Sequence, residues 1–191
     1  MIEEALQFTQ KALNQYLVNR FGNGSKNVAI NNIIDEDNSI PITNQNKMVL
    51  SLINIESESA KPFYNRKHNL NNGYFTNINP PERFNLDLLI TANYKDYKEA
   101  LKFLSATITF FQIHSSVGVR SFSFFPGELE RLDYELIKMN FDKMFNLWSA
   151  IGAKYKPSVV YKIRMLSIQG DEVISFEPAI KQTSENVYPN E

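Results

Sequence analysis

Two histidines, a run of three acids and one basic cluster among aromatic rings are the residues of this chain best suited to chemistry. His68 and His114 lie far apart, and neither has acidic neighbours at metal-ligand spacing. His114 ends a helical pattern, where a protonated imidazole would complement the negative end of the helix dipole. Asp35, Glu36 and Asp37 are consecutive carboxylates in a turn-rich stretch. Such oxygens suit a hard cation, but a complete ligand set needs more of them at defined spacing, so a solvated turn is expected. Asp133 and Glu135 share one face of a strand pattern, as an acid–base pair would. With no basic or hydroxyl partner in view, they read as an exposed face. Arg66, Lys67 and His68 stand beside Phe63, Tyr64 and Tyr74, a pattern able to stack on single-stranded nucleic acid. Against it stands a net charge of −1, which gives no global attraction to a polyanion. The chain has no cysteine, which excludes thiolate chemistry and disulfides. Gly22 and Gly24 follow a helix rather than joining a strand to one, so they are a stop signal and not a phosphate loop. The residues thus point to no catalytic site, no cofactor and no metal.

The elements that would position these residues are more legible than any site. Ile2 to Phe21 has a broad apolar stripe, with Glu3 and Glu4 at its positive end, and predicts a helix. Asn27 to Ile34 is a short strand. Lys47 to Ile55 is a strand apolar on both faces, hence central. Phe84 to Ala92 alternates cleanly between apolar and polar positions. Asp96 and Glu99 form a capping box for a helix from Tyr97 to about His114, with Ala100, Leu101, Leu104, Ile108 and Phe111 as its core stripe. Phe103, Phe110 and Ile113 lie off that stripe, which implies burial on more than one side or contact with a second subunit. Val117 to Phe125 reads as strand or loop. Leu129 to Met139 reads as a strand, with a helix as the competitor.

Residues 56–82 form a long loop for a compact domain. Within it Asn72-Gly73 is a type I′ hairpin signal. Asp171 to Glu191 shows no period and reads as an arm or tail. The expected fold is α+β: one domain over residues 1–170, with a mixed or largely antiparallel sheet covered on one side by two to three helices.

The chain is organised around Phe141 to Ile168. Phe141, Met144, Phe145, Trp148 and Ile151 recur at helical spacing and predict one buried face, with Asn140 as N-cap and Gly152 as a left-handed stop. Pro157 forces an extended exit. The strand that follows points Val159, Tyr161, Ile163 and Met165 one way, and Val160, Lys162, Arg164 and Leu166 the other. The helix is expected to fold back onto this strand, with Trp148 between them near the centre of the core.

Leu147-Trp148 followed by Tyr155-Lys156-Pro157-Ser158-Val159-Val160-Tyr161-Lys162-Ile163-Arg164 resembles the closing signature of the cap, or tail-terminator, proteins of contractile injection systems. These are phage-tail-like particles typified by the Photorhabdus virulence cassette and the antifeeding prophage. The resemblance extends to Pro80 to Ala92 and to the Met1 to Leu17 helix, and so to most of the chain up to Gly170. Trp148, Tyr155, Pro157, Ser158 and Tyr161 are its structural signature. It implies a non-enzymatic tail-terminator fold that assembles with itself as a six-fold ring on the last layer of an inner tube protein, where the sheath protein anchors.

On that reading the partner surface comprises the loop residues Phe63, Tyr64, Arg66, Tyr74 and Phe75, the helix residues Phe103 and Phe110, and the arm residues Phe176, Pro178, Ile180 and Tyr188. The alternative is a monomeric binding module for a small ligand or single-stranded nucleic acid. Neither the acidic, amphipathic N-terminus nor any apolar run suggests a signal peptide or membrane span. A cytoplasmic product, without direct membrane insertion or nucleic acid, then becomes part of the particle.

Overall fold

A computed structural model describes residues 1–22, 26–58, 67–70, 74–78, 82–168 and 173–178. Helix α1 (Ile2–Phe21) ends on Gly22 at φ 67°, a left-handed conformation that glycine adopts without strain. Strand β1 (Val28–Ile30) follows, then a short 3-10 turn (Ile42–Asn44) and β2 (Lys47–Ser57). Strands β3 (Lys67–Leu70) and β4 (Tyr74–Ile78) precede β5 (Glu82–Asn93). Helix α2 (Tyr97–Ile113) begins where the Asp96 carboxylate accepts from the backbone N–H of Lys98 at 2.7 Å and of Glu99 at 3.0 Å. Then come β6 (Ser116–Gly118), β7 (Arg131–Leu136), α3 (Phe141–Ile151), β8 (Ser158–Ile168) and β9 (Val173–Pro178).

Six strands form one mixed sheet in the order β1-β2-β5-β8-β7-β6. Strand β1 runs parallel to β2, whereas β2–β5, β7–β8 and β6–β7 are antiparallel. With its three helices this sheet is the α+β architecture expected from the pattern. The central strand β5 shows why the layers form. Leu86, Leu88, Ile90 and Ala92 are buried on one face and pack in the larger apolar cluster with residues of α1 and α2. Leu89 points to the other face and meets Trp148 of α3 and Val160.

Helices therefore cover both faces, not the single side read from the sequence. Periodicity marks which side of a helix is apolar; it does not state which face of a sheet that side meets. Trp148 is buried, as expected, but in the smaller cluster and on the Val160 face of β8. The larger cluster holds Phe110, Phe111, Tyr134 and Tyr161. Phe111 stacks on Tyr161 at 4.3 Å between ring centroids, and Phe8 meets Phe125 edge-on at 4.8 Å.

A second compact unit spans Ser59–Glu82 and Ile168–Glu191. Its described strands form a three-stranded antiparallel sheet in the order β3-β4-β9. The β3–β4 pairing agrees with the predicted hairpin, whose turn, residues 71–73, lies outside the described residues. Strand β9 departs from the reading of a tail without period, since Tyr74 pairs with Pro178 and Thr76 with Phe176. The signal was present in Ile174, Phe176 and Pro178 alternating with Val173, Ser175 and Glu177.

Candidate functional site

The signature residues hold α3 on the sheet. The Asn140 carboxamide oxygen accepts from the Lys143 N–H at 3.0 Å, and Gly152 closes the helix at φ 75° with its N–H directed to the Trp148 and Ser149 carbonyls. The chain then turns into β8. The Pro157 carbonyl accepts from the Ala92 N–H at 2.9 Å, and the Ser158 hydroxyl lies 3.9 Å from the Met144 sulfur. The Tyr155 ring meets Trp148 edge-on at 5.7 Å but is itself exposed. Trp148, Tyr155, Pro157 and Ser158 are thus gathered in one place, whereas Tyr161 passes to the opposite face and stacks on Phe111. Their work is to fasten a helix and a strand.

What α3 leaves outside is informative. Its inward residues are Met144, Leu147, Trp148 and Ile151, while Phe141 is 83% exposed and Phe145 is 62% exposed. The sequence stripe had included both phenylalanines in the buried face. The i, i+4 relation places the two rings one above the other on the outer side of the helix. Leu136, just before α3, is also exposed.

The opposite correction applies to α2. Phe103 and Phe110, read as partner contacts, are buried within this chain, at 3% and 2% exposure. Phe103 stacks on Tyr94 and Phe110 packs beside Tyr16, so neither is available to a partner. Leu101 and Ile108, read as core, face outward. In a helix apolar nearly all round, spacing fixes the period but not the phase. The charged residues overlooked as a group are a ladder on the α3 face of the sheet. Lys162 bonds Glu56 and lies 3.8 Å from Asp87, Arg164 pairs with Glu135, and Arg131 pairs with Asp133 at 2.8 Å. Asp133 and Glu135 therefore do have basic partners, supplied by the next strand and by their own. A basic strand between acidic ones is the usual cross-strand solution for a wet face. The Glu56 hydrogen bond, helped by the Asp87 charge, holds the Lys162 ammonium above its ordinary pKa.

The His114 ring packs against Phe110 and Phe122, and burial lowers its pKa, which favours the neutral form over a charged helix cap. His68 is in β3. Asp37 turns its carboxylate onto the Ser39 N–H at 2.9 Å. Among the described residues, no three His, Asp or Glu side chains converge as a metal site. No helix there is long and apolar enough to cross a membrane. Of the other candidate partner residues, Tyr74, Phe75, Phe176 and Pro178 lie on β4 and β9. Phe63, Tyr64, Arg66, Ile180 and Tyr188 lie outside the described residues.

A family model described as the Pvc16 N-terminal domain matches residues 7–182. The chain belongs to that family. The fold of this Pvc16 N-terminal domain is shared with two solved structures of low sequence identity. One is described as the sheath/tube terminator of an extracellular contractile injection system, PVC, in the extended state. It is 14% identical, with a TM-score of 0.67 over 100% of this chain and 64% of the other. The second is described as the anti-feeding prophage cap, a tube-terminating cap. It is 16% identical, with a TM-score of 0.58 over 93% of this chain and 59% of the other. The chain thus spans about three fifths of the length of the solved chains it matches. No curated protein matches it.

Proposed function

We propose that this chain caps the far end of the inner tube of a contractile injection particle and anchors the last layer of its sheath, as one subunit of a six-membered ring. The observation that carries this reading is the fold likeness to a sheath/tube terminator over the full length of this chain, within a matching family model. The signature residues support it, because they bear on packing and not on reaction chemistry. Its partners are further copies of itself, the tube protein and the sheath protein, with no role for nucleic acid or catalysis. A closed cyclic ring needs two different contact surfaces on each subunit. The exposed Phe141 and Phe145 of α3, together with Tyr74, Phe75, Phe176 and Pro178 of the second unit, are the candidates for them. The protein would be assembled in the cytoplasm and leave as part of the particle. Native mass spectrometry of the full chain mixed with tube protein is the test. The reading expects a hexamer on the tube, and detection of the 22.1 kDa monomer alone would overturn the ring.

A further inference from the structure

The six-stranded sheet ends at β1 on one side and at β6 on the other. Backbone groups along such an edge can template a strand from another chain. The register says which groups point outward. On β1 the Asn27 carbonyl accepts from the Met48 N–H at 2.8 Å, and the Asn31 N–H donates to the Leu50 carbonyl at 3.2 Å. Ala29, between them, pairs with Val49. Hydrogen-bonding direction alternates along a strand, so Val28 and Ile30 turn their backbone groups away from β2. On β6 the Ser115 carbonyl takes the Tyr134 N–H and Val117 pairs with Leu132, which turns Ser116 and Gly118 outward.

Each edge carries a cap made by the chain itself, and the two caps differ. At β6 a turn supplies it. The Gly118 carbonyl accepts from the Ser121 N–H at 2.8 Å, and the Gly118 N–H donates to the Ser121 hydroxyl at 3.1 Å. At β1 two side chains of α1 supply it. Gln10 donates a carboxamide N–H to the outward Val28 carbonyl at 3.0 Å, the position that the N–H of a seventh strand would take. One turn along the same flank of α1, the Asn14 carboxamide oxygen accepts the Asn27 N–H at 2.7 Å, where the chain enters β1. Beside these two amides lies an open groove of about 1000 Å³, bordered by Ile2, Leu6 and the exposed Ile30. An added strand has room there once the amides are gone.

We infer that Gln10 and Asn14 are edge guards, which hold the backbone of β1 and stop a second copy from pairing its own β1 there. The excluded partner is a copy of this chain, because two β1 edges set antiparallel about a two-fold axis present the same groups to each other. A pair of that kind would compete with the head-to-tail contacts of a ring. The guards act on the isolated chain, whether or not it caps a tube.

The test is sedimentation velocity of the full chain without tube protein, comparing the unaltered chain with Gln10→Ala, Asn14→Ala. Alanine suits the helix and removes both amides. The double variant should self-associate at concentrations about tenfold lower than the unaltered chain does. Amide hydrogen exchange at Ile30 identifies the contact. That N–H should exchange readily in the unaltered chain and about tenfold more slowly in the associated variant. Adding Ile30→Pro should abolish the new association, because the Ile30 N–H faces outward and the β1–β2 ladder does not use it. If circular dichroism shows that the double variant has lost its fold, Gln10→Ala alone carries the same comparison. Association equal to that of the unaltered chain, an Ile30 amide that stays unprotected, or association that survives Ile30→Pro would overturn the assignment.

Discussion

The two faces of the six-stranded sheet are made differently. On the first, α1 and α2 lie over Leu86, Leu88 and Ile90, and the space is filled by aromatic rings in mutual contact. The Thr9 hydroxyl there is fully used. Thr9 donates to the Ala5 carbonyl at 2.7 Å, which leaves its oxygen to accept from Tyr134 at 2.7 Å. On the second face, α3 covers only the part around Leu89 and Val160, and the rest is the ladder of ion pairs between β2, β5, β8 and β7. The Thr91 hydroxyl and the Trp148 indole N–H are on this face, buried and without hydrogen-bond partners, as the Tyr94 hydroxyl is on the first. The first face is closed by rings packed on rings and serves the fold. The second face, which leaves Phe141 and Phe145 exposed, is where partners are expected.

Substitutions on the two faces should therefore differ in kind. The largest loss of stability is expected on the first. Phe111→Ala removes a ring at 1% exposure and should cost about 3–5 kcal/mol by urea titration. Trp148→Ala, in the smaller cluster, should fall near the low end of that range, about 3 kcal/mol. A Trp148 loss larger than that of Phe111 would reverse the ranking of the two clusters.

Single groups come next. Gly152→Ala should cost about 1 kcal/mol, because Cβ would meet only the Ile34 side chain at 3.9 Å and the penalty is the left-handed backbone alone. Tyr134→Phe should cost about 1 kcal/mol, one buried hydrogen bond, since Thr9 keeps its bond to Ala5.

The pH response should be smaller still. His114 titrates below its ordinary value of 6.5 in the folded chain, so the folded state binds the proton less readily than the unfolded one. Its contribution is fully present above pH 6.5 and is lost as pH falls through the lowered value. His114→Gln should flatten that part of a stability-versus-pH curve measured by thermal unfolding, and an unchanged slope would mean that the ring is not buried in solution. Phe141→Ser with Phe145→Ser should change stability least, within about 0.5 kcal/mol by urea titration, because both rings already face water.

The contrast also explains what the sequence could show. All three helices were legible because their ends carry local chemistry, with Asp96 and Asn140 as caps and Gly22 and Gly152 as left-handed stops. The alternation of β5 was equally legible, because burial on one face alone imposes period two. The phase of α2 was not legible. With apolar residues on every side, Leu101 and Phe103 are equivalent until tertiary packing chooses between them. Phe141 and Phe145 were misread for a different reason. Hydrophobicity at helical spacing signals burial against something, and within this chain nothing covers them. The signature around Trp148 and Tyr161 pointed to the right fold because each residue is fixed by packing.

The central claim is that this chain ends a tube. The most direct measurement is the length distribution, by electron microscopy, of particles produced with this chain, without it, and with the Phe141→Ser, Phe145→Ser variant. The account predicts uniform lengths with the unaltered chain. It predicts tubes or sheaths of uncontrolled length, or sheaths detached from their tubes, when the chain is absent or carries the stable double variant. Particles of normal length and contractility in the absence of the chain would contradict it.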